Sequence, residues 1–132
     1  MLVDTNVILD VATNDPRWCD WSAQALETAA EHCTLVINPI IYAEVSMAYK
    51  TIEELERGLP RNVFRRDALP YEAAFLAGKA FLKYRRRGGA KRSPLPDFYI
   101  GAHAAIAGFR LLTRDAARYR TYFPSVELVA PD

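Results

Sequence analysis

Short apolar segments alternate with longer stretches that carry helix-start signals, and this alternation constrains the fold most strongly. The apolar segments are Met1–Asp4, Thr34–Ile37, Leu111–Thr113 and Val126–Val129. Between them, Asp15-Pro16 and Asn38-Pro39 each place a capping side chain before a proline, which fits the first position of a helix. Brief apolar strands separated by helices predict a parallel sheet covered on both faces. The predicted fold class is α/β, a three-layer sandwich with a short central parallel sheet flanked by helices.

Apolar periodicity and turn residues set the expected element boundaries. Helices are predicted over 7–12, 16–31, 39–49, 51–58, 71–87, 96–107 and 116–119. The apolar face of the helix over 71–87 is assigned to Ala74, Phe75, Ala77, Gly78, Phe81 and Leu82. The segment 60–69 is predicted to be an irregular connection that contains no strand.

Length and charge exclude several classes of protein. The chain has 132 residues, which is the size of one domain, and we expect a single domain over 1–132. Its 17 basic and 16 acidic residues leave a net charge of +1, which excludes a nucleic-acid binder that relies on bulk charge. Cys19 and Cys33 have no metal-ligand spacing and are expected to be small buried apolar residues. We expect no membrane segment and a cytoplasmic location, because no apolar run approaches the roughly 20 residues of a bilayer span and no signal-peptide pattern occurs at the amino terminus.

Acidic residues fall where predicted elements meet. Asp4 closes the first strand, Asp115 follows the third, and Asp97 opens a helix. Ligands of open parallel sheets bind beyond the carboxyl ends of the strands, so these side chains are expected to converge there. Each also has a local explanation, because Asp4 and Asp115 could cap the following helices and Asp97 could complement a helix dipole.

Glu44 is the hardest acid to explain locally. It lies among Ile40, Ile41, Val45 and Met47, and burying a carboxylate there is costly unless it is paired or binds a metal. A surface stripe shared with Ser46 and Lys50 is the alternative. Carboxylates gathered at one sheet edge repel one another, and a hard divalent cation removes that repulsion. The pattern therefore indicates Mg²⁺ or Mn²⁺ and phosphoester chemistry.

Four motifs in this order and spacing resemble the PIN-domain family, and more narrowly the VapC toxins of bacterial toxin–antitoxin pairs. They are Asp4-Thr5-Asn6, Pro39–Val45 with Glu44, Asp97–His103, and Leu112–Asp115. The resemblance covers almost the whole chain. It implies a PIN-like fold and a metal-dependent endoribonuclease that leaves a 3′-hydroxyl and a 5′-phosphate.

The resemblance also implies roles for individual residues and partners for the chain. Asp4, Glu44, Asp97 and Asp115 match the catalytic, metal-coordinating acids, and Asn6 and Thr113 match polar residues that support the site. The partners it implies are an RNA substrate, a VapB-type antitoxin whose tail fills the active-site groove, and a second copy in a homodimer. The attacking water would be held by the metal, and either Asp97 or Glu44 would help to deprotonate it.

A basic cluster precedes Asp97 and is the candidate RNA-binding surface. It comprises Arg85, Arg86, Arg87, Lys91 and Arg92, placed to reach phosphates on either side of the scissile bond. Arg114 is either a further substrate contact or a partner of the acidic site when no metal is bound. Tyr84, Tyr99 and Phe98 are candidates for stacking on unpaired bases, with core packing the stronger expectation for Phe98. A solvated, charged face is the alternative for the basic cluster.

Three other classes compete with this interpretation. A haloacid-dehalogenase-type phosphatase needs a second aspartate two residues after Asp4, where this chain has Asn6. A receiver domain needs paired acids after the first strand and a lysine after the last one, and neither occurs. A catalytically inactive PIN-like fold that only binds protein predicts no dependence on Mg²⁺ or Mn²⁺ and no effect of mutating the acids.

Overall fold

A parallel sheet with helices on both faces forms the fold in a computed structural model that describes residues 1–91 and 95–132. The strands are β1 (Leu2–Val3), β2 (Leu35–Ile37), β3 (Phe64–Arg66), β4 (Leu111–Leu112) and β5 (Leu128–Val129). The helices are α1 (Thr5–Ala12), α2 (Cys19–His32), α3 (Pro39–Ser46), α4 (Ile52–Gly58), α5 (Tyr71–Arg86), α6 (Pro96–Ala107) and α7 (Ala117–Tyr122). The predicted α/β fold class is confirmed.

The order of the strands places a crevice at the centre of the sheet. All neighbouring pairs are parallel, and the order is β3-β2-β1-β4-β5, with Leu2 opposite both Val36 and Leu111. The chain therefore builds outward from β1 in one direction, crosses over, and continues from β4 in the other. Right-handed connections place the helices of these two halves on opposite faces of the sheet. In such sheets the carboxyl ends of the two strands at the switch point frame a binding crevice.

The three central strands β1, β2 and β4 are buried, and all their residues are apolar. Leu2, Val3, Ile37, Leu111 and Leu112 are fully buried between the helical layers. In these layers α1 packs with α2 and α3, and α6 packs with α5 and α7. Each strand is two or three residues long, so its end and any polar residue after it lie close to the helix termini.

The prediction of an irregular segment over 60–69 was wrong. Phe64–Arg66 forms the edge strand β3, which pairs with β2 through Leu35 opposite Phe64. The strand Phe64–Arg66 has one buried residue and two arginines, so it lacks the apolar run by which the other strands were predicted. An edge position allows the arginine side chains to reach solvent and nearby acids. Arg65 pairs with Asp67 there.

The buried face of α5 was predicted only in part, since Ala77 is buried as predicted but other members of the face are not. Ala73, Ala77 and Ala80 are buried, whereas Phe75 is 68% exposed and Leu82 is 44% exposed. The small residues face inward because α5 packs closely against α6.

The observed helix ends differ from the predicted ones by a turn or less. Asp15 caps a turn before α2, which begins at Cys19, and α3 ends at Ser46. Cys19 and Cys33 are free thiols and half-buried, so the two residues are less buried than expected. No helix within 1–91 or 95–132 has the length and apolar character that a membrane crossing requires.

Candidate active site at the sheet switch point

Asp4 lies at the switch point, directly after β1. It caps α1, with Oδ1 accepting a 2.8 Å hydrogen bond from the Thr5 backbone N–H. Its other oxygen, Oδ2, accepts from Thr113 Oγ1 at 2.8 Å, from the Tyr119 hydroxyl at 2.9 Å and from Asn6 Nδ2 at 3.3 Å. The local explanation of Asp4 as a helix cap is therefore correct, but it uses only one of the two carboxylate oxygens.

The environment of Asp4 disfavours its negative charge. The residue is 3% exposed, and burial raises its pKa from 3.8 to about 6, even though hydrogen bonds from Thr113 and Tyr119 oppose the rise. Asp97 adds to it through like-charge repulsion. Among the described residues, no lysine or arginine forms an ion pair with Asp4. In the described part of the chain, the donors that hold this buried carboxylate are all neutral.

The other three predicted acids surround this position. Glu44, on α3, accepts a 2.6 Å hydrogen bond from Thr5 Oγ1, and the backbone N–H of the same threonine donates to Asp4, so Thr5 connects the two acids. Asp97, at the second position of α6, lies 3.5 Å from the Tyr119 hydroxyl that also contacts Asp4. Asp115 is exposed, and its charge raises the pKa of Asp97. The pKa values of Asp97 and Glu44 are both raised, mainly by burial.

The acids are linked two at a time. Thr5 links Asp4 with Glu44, Tyr119 links Asp4 with Asp97, and the charge of Asp115 acts on Asp97. Within 1–91 and 95–132, no three His, Cys, Asp or Glu side chains lie close enough to hold one ion together. The donor chemistry nevertheless suits a hard cation, because every ligand available is a carboxylate, hydroxyl or amide oxygen. Mg²⁺ keeps several waters and is commonly held by one or two carboxylates. The negative charge of Asp4, which no described side chain neutralises, fits such an ion, and Asp97 lies beside it with one arginine partner.

Asn6 and Thr113, the two residues expected to support the site, both donate hydrogen bonds to Asp4. Thr113 is fully buried at the end of β4, and its Oγ1 donates to Asp4 and accepts from the backbone N–H of Asp115 at 3.1 Å. Asn6 reaches across the same gap, with Oδ1 accepting from the Arg114 backbone N–H at 3.2 Å. Together they join the loop after β4 to the start of α1, which fixes Asp115 relative to Asp4.

Two important side chains were missed. Tyr119 is 1% exposed on α7 and bridges Asp4 and Asp97, and their negative charge together with burial raises its pKa well above the usual value. Arg118 pairs with Asp97 at 3.2 Å. Tyr119 ends the helix predicted over 116–119, four residues after Asp115, and this closeness in sequence to a predicted site acid is the signal that could have drawn attention to it.

Asp10 was missed as well, although the argument used for Glu44 applies to it. It is an acid in the apolar segment Val7–Val11 and is 2% exposed. Its Oδ2 accepts from Ser22 Oγ at 2.7 Å and from Arg114 Nε at 2.8 Å. Arg114 therefore pairs with Asp10, not with any of the four predicted acids, and its guanidinium also lies 5.6 Å from the Trp18 ring centre.

The basic cluster is only partly gathered at the site. Arg85 donates to the Lys91 carbonyl, and Arg87 lies 5.4 Å over the Tyr122 ring beside the acids. Arg86 and Lys91 are exposed, while Arg92 lies outside the described residues. Phe98 is fully buried, as predicted for a core residue. His103 is also buried and hydrogen bonds with Asn38 at 3.0 Å.

Comparison with known proteins identifies the family. The sequence profile of the PIN domain matches residues 1–124. The chain belongs to the PIN-domain family. Members of this family are generally nucleases. No curated protein sequence gives a significant match to this PIN domain.

Solved structures share the fold of this PIN domain at low sequence identity. A chain of the VapBC2 complex from Rickettsia felis, bound to a promoter DNA fragment, is 20% identical with a TM-score of 0.75, covering 99% of this chain and 98% of that one. A toxin–antitoxin complex from Klebsiella pneumoniae gives 23% identity and a TM-score of 0.72, over 99% and 97%. VapBC-1 from nontypeable Haemophilus influenzae is 17% identical with a TM-score of 0.73, covering 98% of this chain and 96% of that one. These similarities establish the PIN-like fold.

Proposed function

We propose that this PIN domain is a divalent-metal-dependent endoribonuclease and the VapC-type toxin of a toxin–antitoxin pair. The observation that carries the proposal is Asp4, a carboxylate that is 3% exposed and held by neutral donors at the sheet switch point, with Asp97 beside it. Because a buried, unpaired carboxylate destabilises the fold, a cation bound from solution would stabilise it. Membership of a family of nucleases supports the same conclusion.

Asp4 and Asp97 are proposed as the principal ligands of Mg²⁺ or Mn²⁺, with Glu44 and Asp115 on either side of them. When bound, the ion would lower the pKa of a coordinated water and offset charge that develops on the phosphate. Asn6 and Thr113 support the site by orienting Asp4 and the loop that carries Asp115. All the proposed ligand atoms are carboxylate oxygens, which are the ligands that a hard divalent cation prefers.

Glu44 and Asp97 are the two candidates for the proton acceptor. Burial raises the pKa of both side chains, which brings them closer to the range in which a carboxylate exchanges protons near neutral pH. Thr5 holds Glu44 at 2.6 Å, whereas Arg118 opposes protonation of Asp97 from 3.2 Å. Replacing each acid by its amide and comparing the acidic limbs of the pH–rate profiles would distinguish the two roles.

The basic end of α5 is proposed to bind the RNA backbone. Arg86, Arg87 and Lys91 are exposed, and Arg87 lies over the Tyr122 ring next to Asp97. Arg85 and Arg92 belong to the same proposed surface. Arg114 is engaged with Asp10, so we propose that it acts on substrate only indirectly, by holding the loop that carries Asp115.

A VapB-type antitoxin is proposed as the protein partner. The structures that share this fold come from complexes whose names include VapBC or toxin–antitoxin, which supports the assignment. A homodimer and a cytoplasmic location follow from the same VapC-type proposal. Light scattering of the purified chain measures its oligomeric state directly.

The test of activity is cleavage of structured and unstructured RNAs with Mn²⁺ or with EDTA. Asp97→Asn is expected to reduce cleavage by at least about 10- to 100-fold, because mutation of the groups that merely support metal ligands already costs that much. Asp20→Asn, an exposed acid on α2, is the matched control and should cleave like the wild type. The products should carry 5′-phosphates. Equal cleavage by the wild type and Asp97→Asn would overturn the proposal and indicate a contaminating nuclease, and no cleavage by any form would favour the protein-binding alternative.

The test of the RNA surface is charge reversal at Arg86 and Lys91. RNA binding should weaken, and the slope of log affinity against log salt should fall by about one for each phosphate that the variant no longer neutralises. Metal affinity should stay unchanged, because neither residue touches the four acids. Arg57→Glu, on the exposed side of α4, serves as the control. An unchanged salt slope would remove this surface from the proposal.

A further inference from the structure

A cavity of about 400 Å³ opens beside the acidic cluster. Asp97 and Asp115 line it together with Arg118, Thr121 and two tyrosines, Tyr84 and Tyr122. Two of the acids, one cation and two aromatic rings therefore share one open space. The four acids and the basic cluster of the proposed function account for only part of this lining.

Packing against the protein core holds the two tyrosine rings in place. Tyr84 and Tyr122 are half-buried, with ring centres 6.4 Å apart and planes at 69°. Both pack edge-on against the fully buried Phe98, at 5.6 and 5.3 Å. Gly89 passes so close to the Tyr84 ring that a methyl group at that position would overlap it. Rings held in this way lose little conformational freedom when something stacks on them.

The exposed faces of these rings are covered by arginines. The Arg118 guanidinium lies 5.9 Å from the Tyr84 ring centre, and that of Arg87 lies 5.4 Å from the Tyr122 ring centre. Cation–π interactions at exposed sites are weak, so a flat ligand can replace the guanidinium on the ring. An arginine displaced from a ring keeps its charge and can pair with a phosphate instead.

We propose that this cavity is a subsite for one unpaired nucleobase next to the reacting phosphate. The base stacks on Tyr122 and lies against Tyr84, whose ring centre is 6.4 Å away, and Arg87 and Arg118 move onto the flanking phosphates. Stacking on aromatic side chains is how proteins bind single-stranded RNA, whereas bases within a duplex are already stacked on each other. The inference rests on the proposed function and adds to it the place where one base is held, between Tyr84 and Tyr122.

The test compares binding of a uridine hexanucleotide with binding of the same ribose-phosphate chain lacking bases, in EDTA. Tyr122→Leu keeps an apolar side chain but removes the ring, and Tyr122→Phe keeps the ring but removes the hydroxyl. Tyr122→Leu should bind the hexanucleotide about 5- to 100-fold more weakly than the wild type, the range expected for loss of one stacked base. Its affinity for the abasic chain should not change, and Tyr122→Phe should restore base-dependent binding.

Each outcome separates the subsite from the nuclease proposal. If the wild type cleaves RNA and Tyr122→Leu keeps its full preference for the hexanucleotide, the subsite is wrong and the nuclease stands. If the wild type fails to cleave yet prefers the hexanucleotide through Tyr122, the nuclease proposal fails and the subsite stands. A wild type without preference for bases overturns the subsite. If Tyr122→Leu folds poorly, the subsite is tested by photocrosslinking a 5-iodouridine hexanucleotide to the wild type. A crosslink at Tyr84 or Tyr122 is expected, and the absence of a crosslink at both residues would contradict the subsite.

Discussion

The two ends of α1 each bury a carboxylate, and the two are compensated in different ways. Asp4, at the start of the helix, is 3% exposed, and Asp10, in its last turn, is 2% exposed. Asp10 is paired with the Arg114 guanidinium at 2.8 Å and with Ser22. Among residues 1–91 and 95–132, the donors to Asp4 are Thr5, Asn6, Thr113 and Tyr119, which are all neutral.

The difference separates a structural acid from a candidate functional one. An internal arginine closes the Asp10 site, so α1, α2 and the loop after β4 are tied together. Asp4 keeps a charge that no described side chain neutralises, and this excess is what an external cation can relieve. The open Arg118–Asp97 pair is intermediate, because 37% of the Asp97 side chain is exposed and can exchange partners.

The largest expected effect comes from the same isosteric change at both ends of α1. Asp10→Asn should lower the free energy of unfolding by about 3 kcal/mol at pH 7.5, because it leaves the Arg114 guanidinium without its partner. Asp4→Asn should change it by less than about 1 kcal/mol, because it removes a charge that burial disfavours. Urea denaturation in EDTA measures both. Equal losses would contradict the distinction between the two sites.

The pH dependence of stability sharpens the comparison at the Asp4 end. The pKa of Asp4 is raised to about 6 in the folded protein, above the value of 3.8 expected for the unfolded chain. Between about pH 4 and pH 6 the folded state therefore holds a proton that the unfolded chain has lost, and the free energy of unfolding falls as pH rises, by about 2 kcal/mol. Raised pKa values of Glu44 and Asp97 act in the same direction.

The measurement is urea unfolding at several pH values from 4 to 7 in EDTA. Asp4→Asn should flatten the decline, whereas Asp20→Asn, at an exposed position, should leave it intact. A decline of the same size in the wild type and in Asp4→Asn would mean that Asp4 does not cause it.

The smallest effect expected is stabilisation by metal. Mn²⁺ at about ten times its Kd should raise the free energy of unfolding by about 1.4 kcal/mol. The gain should be larger at pH 7 than at pH 5, because protons compete for the same carboxylates. Thermal shifts with and without Mn²⁺ measure it. Asp4→Asn should lose the shift and Asp10→Asn should keep it, and an unchanged shift in Asp4→Asn would remove Asp4 from the proposed ligands.

The sequence could predict the features that depend on local signals. The strands around Leu2, Val36 and Leu112 followed from apolar segments between helix-start signals, and the convergence of Asp4 and Asp97 followed from the geometry of a parallel sheet. β3 escaped prediction because its pairing with β2 compensates for a polar sequence at the sheet edge. The buried alanines of α5 escaped because close packing against α6 selected small residues over Phe75 and Leu82.

The sequence by itself determined the α/β class, the acidic residues and their order along the chain, because strand length, capping and charge are properties of neighbouring residues. Only the tertiary structure decided which acids are neutralised. Arg114 reaches Asp10 across 104 positions, and Tyr119 reaches Asp4 across 115. The energy of a buried charge depends on all the groups around it in space, and these come together only when β1 and β4 lie side by side.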